Sequence, residues 1–369
     1  MARWRRVLAW AAGAGVVLGS PVIGDLRLAL LRAFPRQYVA IISAGVVVGG
    51  VVVLGVCLRA IRSERPRRIG ILGLGLALAV GSFAALRSGN PNVDAVEAFH
   101  FVEYGVLALL FFPFGQRRAR WEAYVGAALA TTAVGVADEW FQWFVPGRAG
   151  EWHDVMFDLL ATACGLLMCL ALDTRQSYRS GQRTRLGLGS AAVVLLLGAF
   201  IASIHLGTEI RDPEIGRFRS RFSEARLREL GVERLREWNG GPPPVVGRYG
   251  REDQYEAEAL WHVRRRNFGM DLDRKGDAAE LDIAWHENLI LERHFKAVLD
   301  AASAGGAVGH RLAPEQVADV DARRAHGTAP FVSDAEAMPI YLWSPAAFWA
   351  VVAAVALAAI GFFPALRRF

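Results

Sequence analysis

The chain has 369 residues, 53% of them hydrophobic, with a net charge of +6 and a pI near 9.6. Long apolar runs separated by short arginine-rich segments argue against an ordinary soluble domain and fit a polytopic membrane protein. The basic charge lies beside those runs, where positive-inside bias accounts for it, so no nucleic-acid partner is implied.

Eight runs are long enough to cross a bilayer: 7–24, 38–58, 69–86, 99–114, 121–144, 155–172, 186–206 and 344–364. The expected fold class is therefore all-α, a bundle of about eight transmembrane helices. Arg3, Arg5 and Arg6 ahead of the first run give it the start of a signal peptide. The run continues to Gly24 with no clear small-x-small cleavage site, which reads as an uncleaved span. Arginine placement tests the set independently. Alternate short segments, starting with the N-terminus, hold seventeen arginines, and the opposite segments hold only Arg27, Arg32, Arg36, Arg87 and Arg148. Both termini are thus expected in the cytoplasm. Cys57, Cys164 and Cys169 all fall inside predicted spans, where cysteine behaves as a small apolar residue. The glycines of 70–75 resemble a phosphate loop in isolation, but inside an apolar run they read as close helix packing.

Between the last two runs, 207–343 is charged and of domain size, and it is expected to be mostly helical and extracytoplasmic. Helices are predicted at 218–238, 252–268, 276–303 and 314–325. In the third, Glu287 and His294 share a face, with His286 and Glu292 nearby. The pattern is not the helical His-Glu-x-x-His zinc motif, and it reads as solvated charge on an amphipathic helix. The segment is also a candidate docking region for an envelope protein. Tyr341 and Trp343, ahead of the last run, suit a membrane interface.

Three spans carry the chemistry. His100, Glu103 and Tyr104 share one face of the fourth. Asp138, Glu139 and Gln142 end the fifth, and Asp154 and Asp158 begin the sixth. The short stretch 145–153 makes the last two an antiparallel hairpin, with a turn at Pro146 and Gly147 that brings Arg148 near the carboxylates. Topology places all three polar sets on the outer side. A charged group near mid-membrane costs about 2.5 to 3.5 kcal/mol, so these groups should face one another or water. Two uses fit such a set: proton transfer, and the grip of a polar head group or cation. A purely structural role, an interhelical staple tying Arg148 to Asp154 or Glu139, remains open. Trp140, Phe141, Trp143, Phe144 and Trp152 around it read as an aromatic belt.

The arrangement His100-Phe101-x-x-Tyr104 with Leu107, then Asp138-Glu139-x-x-Gln142-x-Phe144-Val145-Pro146-Gly147-Arg148, then Asp154-x-x-x-Asp158 and Gly165, resembles the VanZ-like family. That family is named for a protein associated with teicoplanin resistance in Gram-positive bacteria. The resemblance covers about 59–172. It departs from the family pattern at Val96-Glu97, where Asp-Lys is usual, and at Ala161, where glycine is usual. It divides the chain into N-terminal spans (1–58), a VanZ-like domain (59–172), a seventh span (173–206), the external segment (207–343) and a final span with its tail (344–369).

The expected protein is a multi-pass member of the bacterial plasma membrane. Its outward-facing cluster would bind or process an amphiphilic, lipid-linked or peptidoglycan-related molecule, and it would bear on glycopeptide susceptibility through the family. Glu139 or Asp154 would serve as general base or cation ligand, and His100 as proton shuttle. Arg148 would contact an anionic head group, and Gln142, Glu103, Tyr104, Asp138 and Asp158 would line the ligand. The sequence assigns no metal and leaves the cofactor unknown. A proton-coupled transporter and a non-catalytic scaffold are the rival classes.

Overall fold

The computed structural model describes residues 2–114, 119–145, 150–174, 183–237, 251–273, 277–300, 310–327, 330–336 and 339–365. Contacts divide the chain into two compact units, 1–200 with 349–369, and 201–348.

The first unit is a helix bundle: α1 (Ala2–Ala33), α2 (Tyr38–Ala60), α3 (Arg65–Leu86), α4 (Pro91–Phe111), α5 (Arg120–Trp143), α6 (Trp152–Leu172), most of α7 (Arg183–Ile204) and most of α13 (Pro345–Ala365). Six of these are long and apolar enough to cross a membrane. The remaining two, α4 and α5, are of similar length and carry three acidic residues each. With eight long helices and apolar faces turned outward, such as Val47 and Val48 on α2 and Val355 and Leu357 on α13, the chain is a multi-pass membrane protein.

Local sequence sets the helix ends. Pro66 starts α3 and Pro91 starts α4, where a missing N–H costs nothing, and the Asn90 side chain accepts from the Asn92 N–H at 3.1 Å. The first helix runs on to Ala33, past the expected end at residue 24, with Pro21 inside it. At the other end of α6, Arg68 donates to the Ala171 carbonyl at 2.9 Å and Arg120 pairs with Asp173 at 3.2 Å, cations where the helix dipole is negative.

Small residues let the central helices close up. A Cβ on Gly165 of α6 would stand 2.7 Å from the Gly105 carbonyl oxygen of α4, and one on Gly75 would meet Leu167 of α6 at 3.3 Å. Of the glycine-rich stretch 70–75, Gly75 alone packs this way, since Gly70 and Gly73 face open space. All three cysteines are free and buried.

The second unit is helical with one hairpin that the sequence reading missed. Strands β1 (Thr208–Asp212) and β2 (Gly216–Ser220) pair antiparallel, with Ile210 opposite Phe218. Both are buried against α8 (Glu224–Glu237), α9 (Arg251–Asp273), α10 (Ala278–His294) and α11 (Lys296–Asp300), alongside Leu227, Tyr255, Ile290 and Phe295. The helix expected at 218–238 thus begins at Glu224, and the one expected at 276–303 breaks at Phe295. A last short helix, α12 (Pro314–Arg323), follows.

Glu287 and His294 are buried, not solvated as expected. The Glu287 carboxylate takes the His262 ring at 2.6 Å and the Ser333 hydroxyl at 2.6 Å. His294 packs on Phe218, and its two ring nitrogens have no hydrogen-bond partner. Burial pushes its pKa down to about 4.

Candidate functional site

The polar residues of α4, α5 and α6 meet inside the bundle. His100 lies one turn before Tyr104 on α4, and their rings stack at 5.8 Å. From α6, Asp158 reaches His100: its Oδ1 lies 2.8 Å from Nδ1. From α5, Asp138 accepts the Tyr104 hydroxyl at 3.2 Å and the Gln142 amide at 2.9 Å, and the same amide reaches Glu139 Oε1 at 2.9 Å. The other oxygen of Glu139 accepts the backbone N–H of Glu151, the residue just before α6, at 3.2 Å. Gly135, one turn before Glu139, makes room for this convergence: a Cβ there would stand 2.7 Å from Asp158 Oδ2.

His100, Tyr104, Asp138, Glu139, Gln142 and Asp158 therefore form one buried cluster. Asp154, half-buried, forms with Glu97 and His153 a second group whose ligand atoms lie within 4.8 Å of one another, and its charge still acts on Glu139, Asp158 and His100. Glu97 enters at the position where the sequence departs from the family pattern. Arg148, expected beside the carboxylates, lies outside the described residues. Trp143 is fully buried in the bundle, which removes it from the expected aromatic belt.

A cavity of about 260 Å³ adjoins the cluster between α1, α2, α4 and α5. His100, Glu103, Asp138 and Gln142 line its polar part, and Val16, Ile23, Leu26, Leu30 and Phe99 its apolar part. Three more polar lining residues come from helices the sequence reading left out of the site: Ser20 and Arg27 of α1, and Tyr38 of α2. The Ser20 and Tyr38 hydroxyls are buried without a hydrogen-bond partner among the described residues. The run of α1 past residue 24 is what brings Arg27 here. A larger, more open depression of about 740 Å³ lies in the second unit beside Arg211, Ile215, His286 and Phe331, but it gathers no comparable set of buried acids.

Residues 77–173 match the family model described as VanZ/LLP1. No curated protein and no solved structure matches the chain. The matched stretch runs from within α3 to just past α6 and so contains both acidic groups, while α7, α13 and the second unit lie beyond it. Residues 77–173 are therefore a VanZ-like domain, set within a multi-pass helical membrane protein.

Proposed function

We propose that the bundle binds an amphiphilic cell-envelope molecule, with its head group at the buried cluster and its apolar part along α1 and α4. The observation that carries this reading is the cavity itself. One space joins an aliphatic wall to His100, Glu103, Asp138 and Gln142, which is the polarity profile of a lipid-like ligand. The orphan hydroxyls of Ser20 and Tyr38 offer hydrogen bonds to a head group, and Arg27 offers it a cation. In this reading Glu139 is the base or cation ligand, His100 moves protons, and Arg148 joins Arg27 in holding an anionic group. Asp154 groups with Glu97 and His153 beside the cluster, close enough for its charge to act on Glu139.

The arginine distribution supports cytoplasmic termini and an outward-facing site in a bacterial plasma membrane, and the resemblance to the VanZ-like family suggests a link to glycopeptide susceptibility. The unit at 201–348 is the part that would recruit an envelope protein.

The test is lipid analysis of the full-length protein purified in nanodiscs made from its native membrane. An amphiphile with an anionic head group should co-purify, and Arg27→Ala or Gln142→Ala should each lower its retention about tenfold, the loss of one strong hydrogen bond. Equal retention in wild type and both variants would remove the proposal.

A further inference from the structure

Three helices each contribute one metal-competent side chain to the centre of the cluster. Ligand atoms of His100, Glu139 and Asp158 all lie within 4.8 Å of one another. The residues are 9%, 0% and 1% exposed. Donors sharing one ion at about 2.0 to 2.2 Å sit roughly 3 Å apart, so rotamer adjustments under 2 Å would close the set.

A second observation points to the same place. Asp158 Oδ1 lies 2.8 Å from His100 Nδ1, but its Oδ2 has no hydrogen-bond partner among the described residues although the side chain is buried. That oxygen lies over Gly135, on the face of α5 that carries Glu139 one turn later. A buried carboxylate oxygen left without a partner is costly. Neither Glu139 nor Asp158 pairs with an arginine or lysine among the described residues, and Asp138 adds a third buried acid beside them. Even with the imidazole protonated, these groups carry net negative charge when the acids are ionised.

We propose that His100, Glu139 and Asp158 bind one divalent first-row metal ion. One imidazole with two carboxylates suits manganese, iron or zinc. Calcium prefers six to eight oxygens, and copper(I) prefers sulfur. Three protein ligands leave coordination positions open, and His100 also lines the cavity. That an oxygen of a phosphate-like head group fills such a position rests on the reading given under Proposed function. The ion itself does not depend on it.

The experiment uses the full-length protein in detergent, stripped with EDTA, loaded with Mn²⁺ or Zn²⁺ and passed through gel filtration before elemental analysis. About one ion per chain is expected to stay with the wild type, falling about tenfold or more in Glu139→Gln and Asp158→Asn and unchanged in the exposed control Glu233→Gln. No retained ion in the wild type, or equal retention in both site variants, would overturn the assignment. Should those variants fold poorly, pulsed electron paramagnetic resonance of Mn²⁺ bound to the wild type decides. Nitrogen coupling that changes on ¹⁵N-histidine labelling supports the site, and bound manganese without it overturns the site. No lipid is added, so ion binding here together with equal amphiphile retention in the nanodisc experiment would keep this inference and sink the previous one. A retained amphiphile without an ion would do the reverse.

Discussion

Replacing Gly165 by alanine probes how closely α4 and α6 must approach for His100 to meet Asp158. The new Cβ would stand 2.7 Å from the Gly105 carbonyl oxygen and 2.8 Å from the Ala108 Cβ. Carbon atoms rest at about 3.5 to 4.0 Å, so the helices would have to part by roughly 1 Å. Overpacking of this kind costs about 1 to 3 kcal/mol. The gain from alanine over glycine inside a helix, about 0.5 to 1 kcal/mol, offsets part of it. The net expectation is a loss of about 0 to 2.5 kcal/mol, near 1 at mid-range, or an apparent Tm lower by on the order of 3 °C. Gly105→Ala is the matched control, because nothing lies within 4 Å of a Cβ there and it should be neutral or stabilising. Thermal unfolding of the full-length protein in detergent, followed by tryptophan emission, compares the two. If both variants melted together, the argument that Gly165 sets the α4 to α6 distance would fail.

Two further outcomes follow from the second unit. Arg221 and Glu258 form a buried pair at 3.0 Å, with side chains 3% and 0% exposed. Arg221→Met should cost about 3 kcal/mol, the low end for breaking a buried pair, because Ser220 Oγ at 2.6 Å and the residue 221 N–H at 2.9 Å still bond the carboxylate. Hydrogen exchange in β2 and α9 reads this directly, and unchanged protection would refute it. For His294, a folded pKa near 4 against an ordinary 6.5 means that the unfolded chain takes up the proton first. The unit should keep full stability above about pH 6.5 and lose at most about 3 kcal/mol as the pH falls toward 4. His294→Leu should flatten that decline in pH-dependent hydrogen exchange of α10, and a decline unaltered by the substitution would assign it to other groups.

The membrane helices were legible because an apolar run longer than a bilayer is a strong signal, and the acids inside α4, α5 and α6 stood out against it. The helical facing of His100 with Tyr104, and of Glu139 with Gln142, was equally readable from spacing. What the spacing hid was the reach of α1. Hydropathy falls at Asp25 and Arg27, which look like loop charges until the helix is seen to continue to Ala33 and turn Arg27 toward the cavity. Asp154 and Asp158 share a helix face, yet one is half-buried beside Glu97 and His153 and the other fully buried beside His100, a difference of depth that periodicity does not encode. The hairpin of β1 and β2 escaped because each short strand offers a single inward apolar side chain, Ile210 or Phe218, among charged neighbours. Phe218 reads as plausibly at the start of a helix. The break at Phe295 carries neither glycine nor proline to announce it.

The acids of α4 bear on how the protein is made. Asp94, Glu97 and Glu103 lie on a helix that lacks the composition of a self-inserting span, and charges near a span's centre oppose entry by about 2.5 to 3.5 kcal/mol each. The partners of the other polar residues of α4, Asp138 for Tyr104 and Asp158 for His100, come later in the chain, with Asp158 last. The buried cluster therefore cannot be complete in a chain that stops short of α6, because Asp158 lies in that helix.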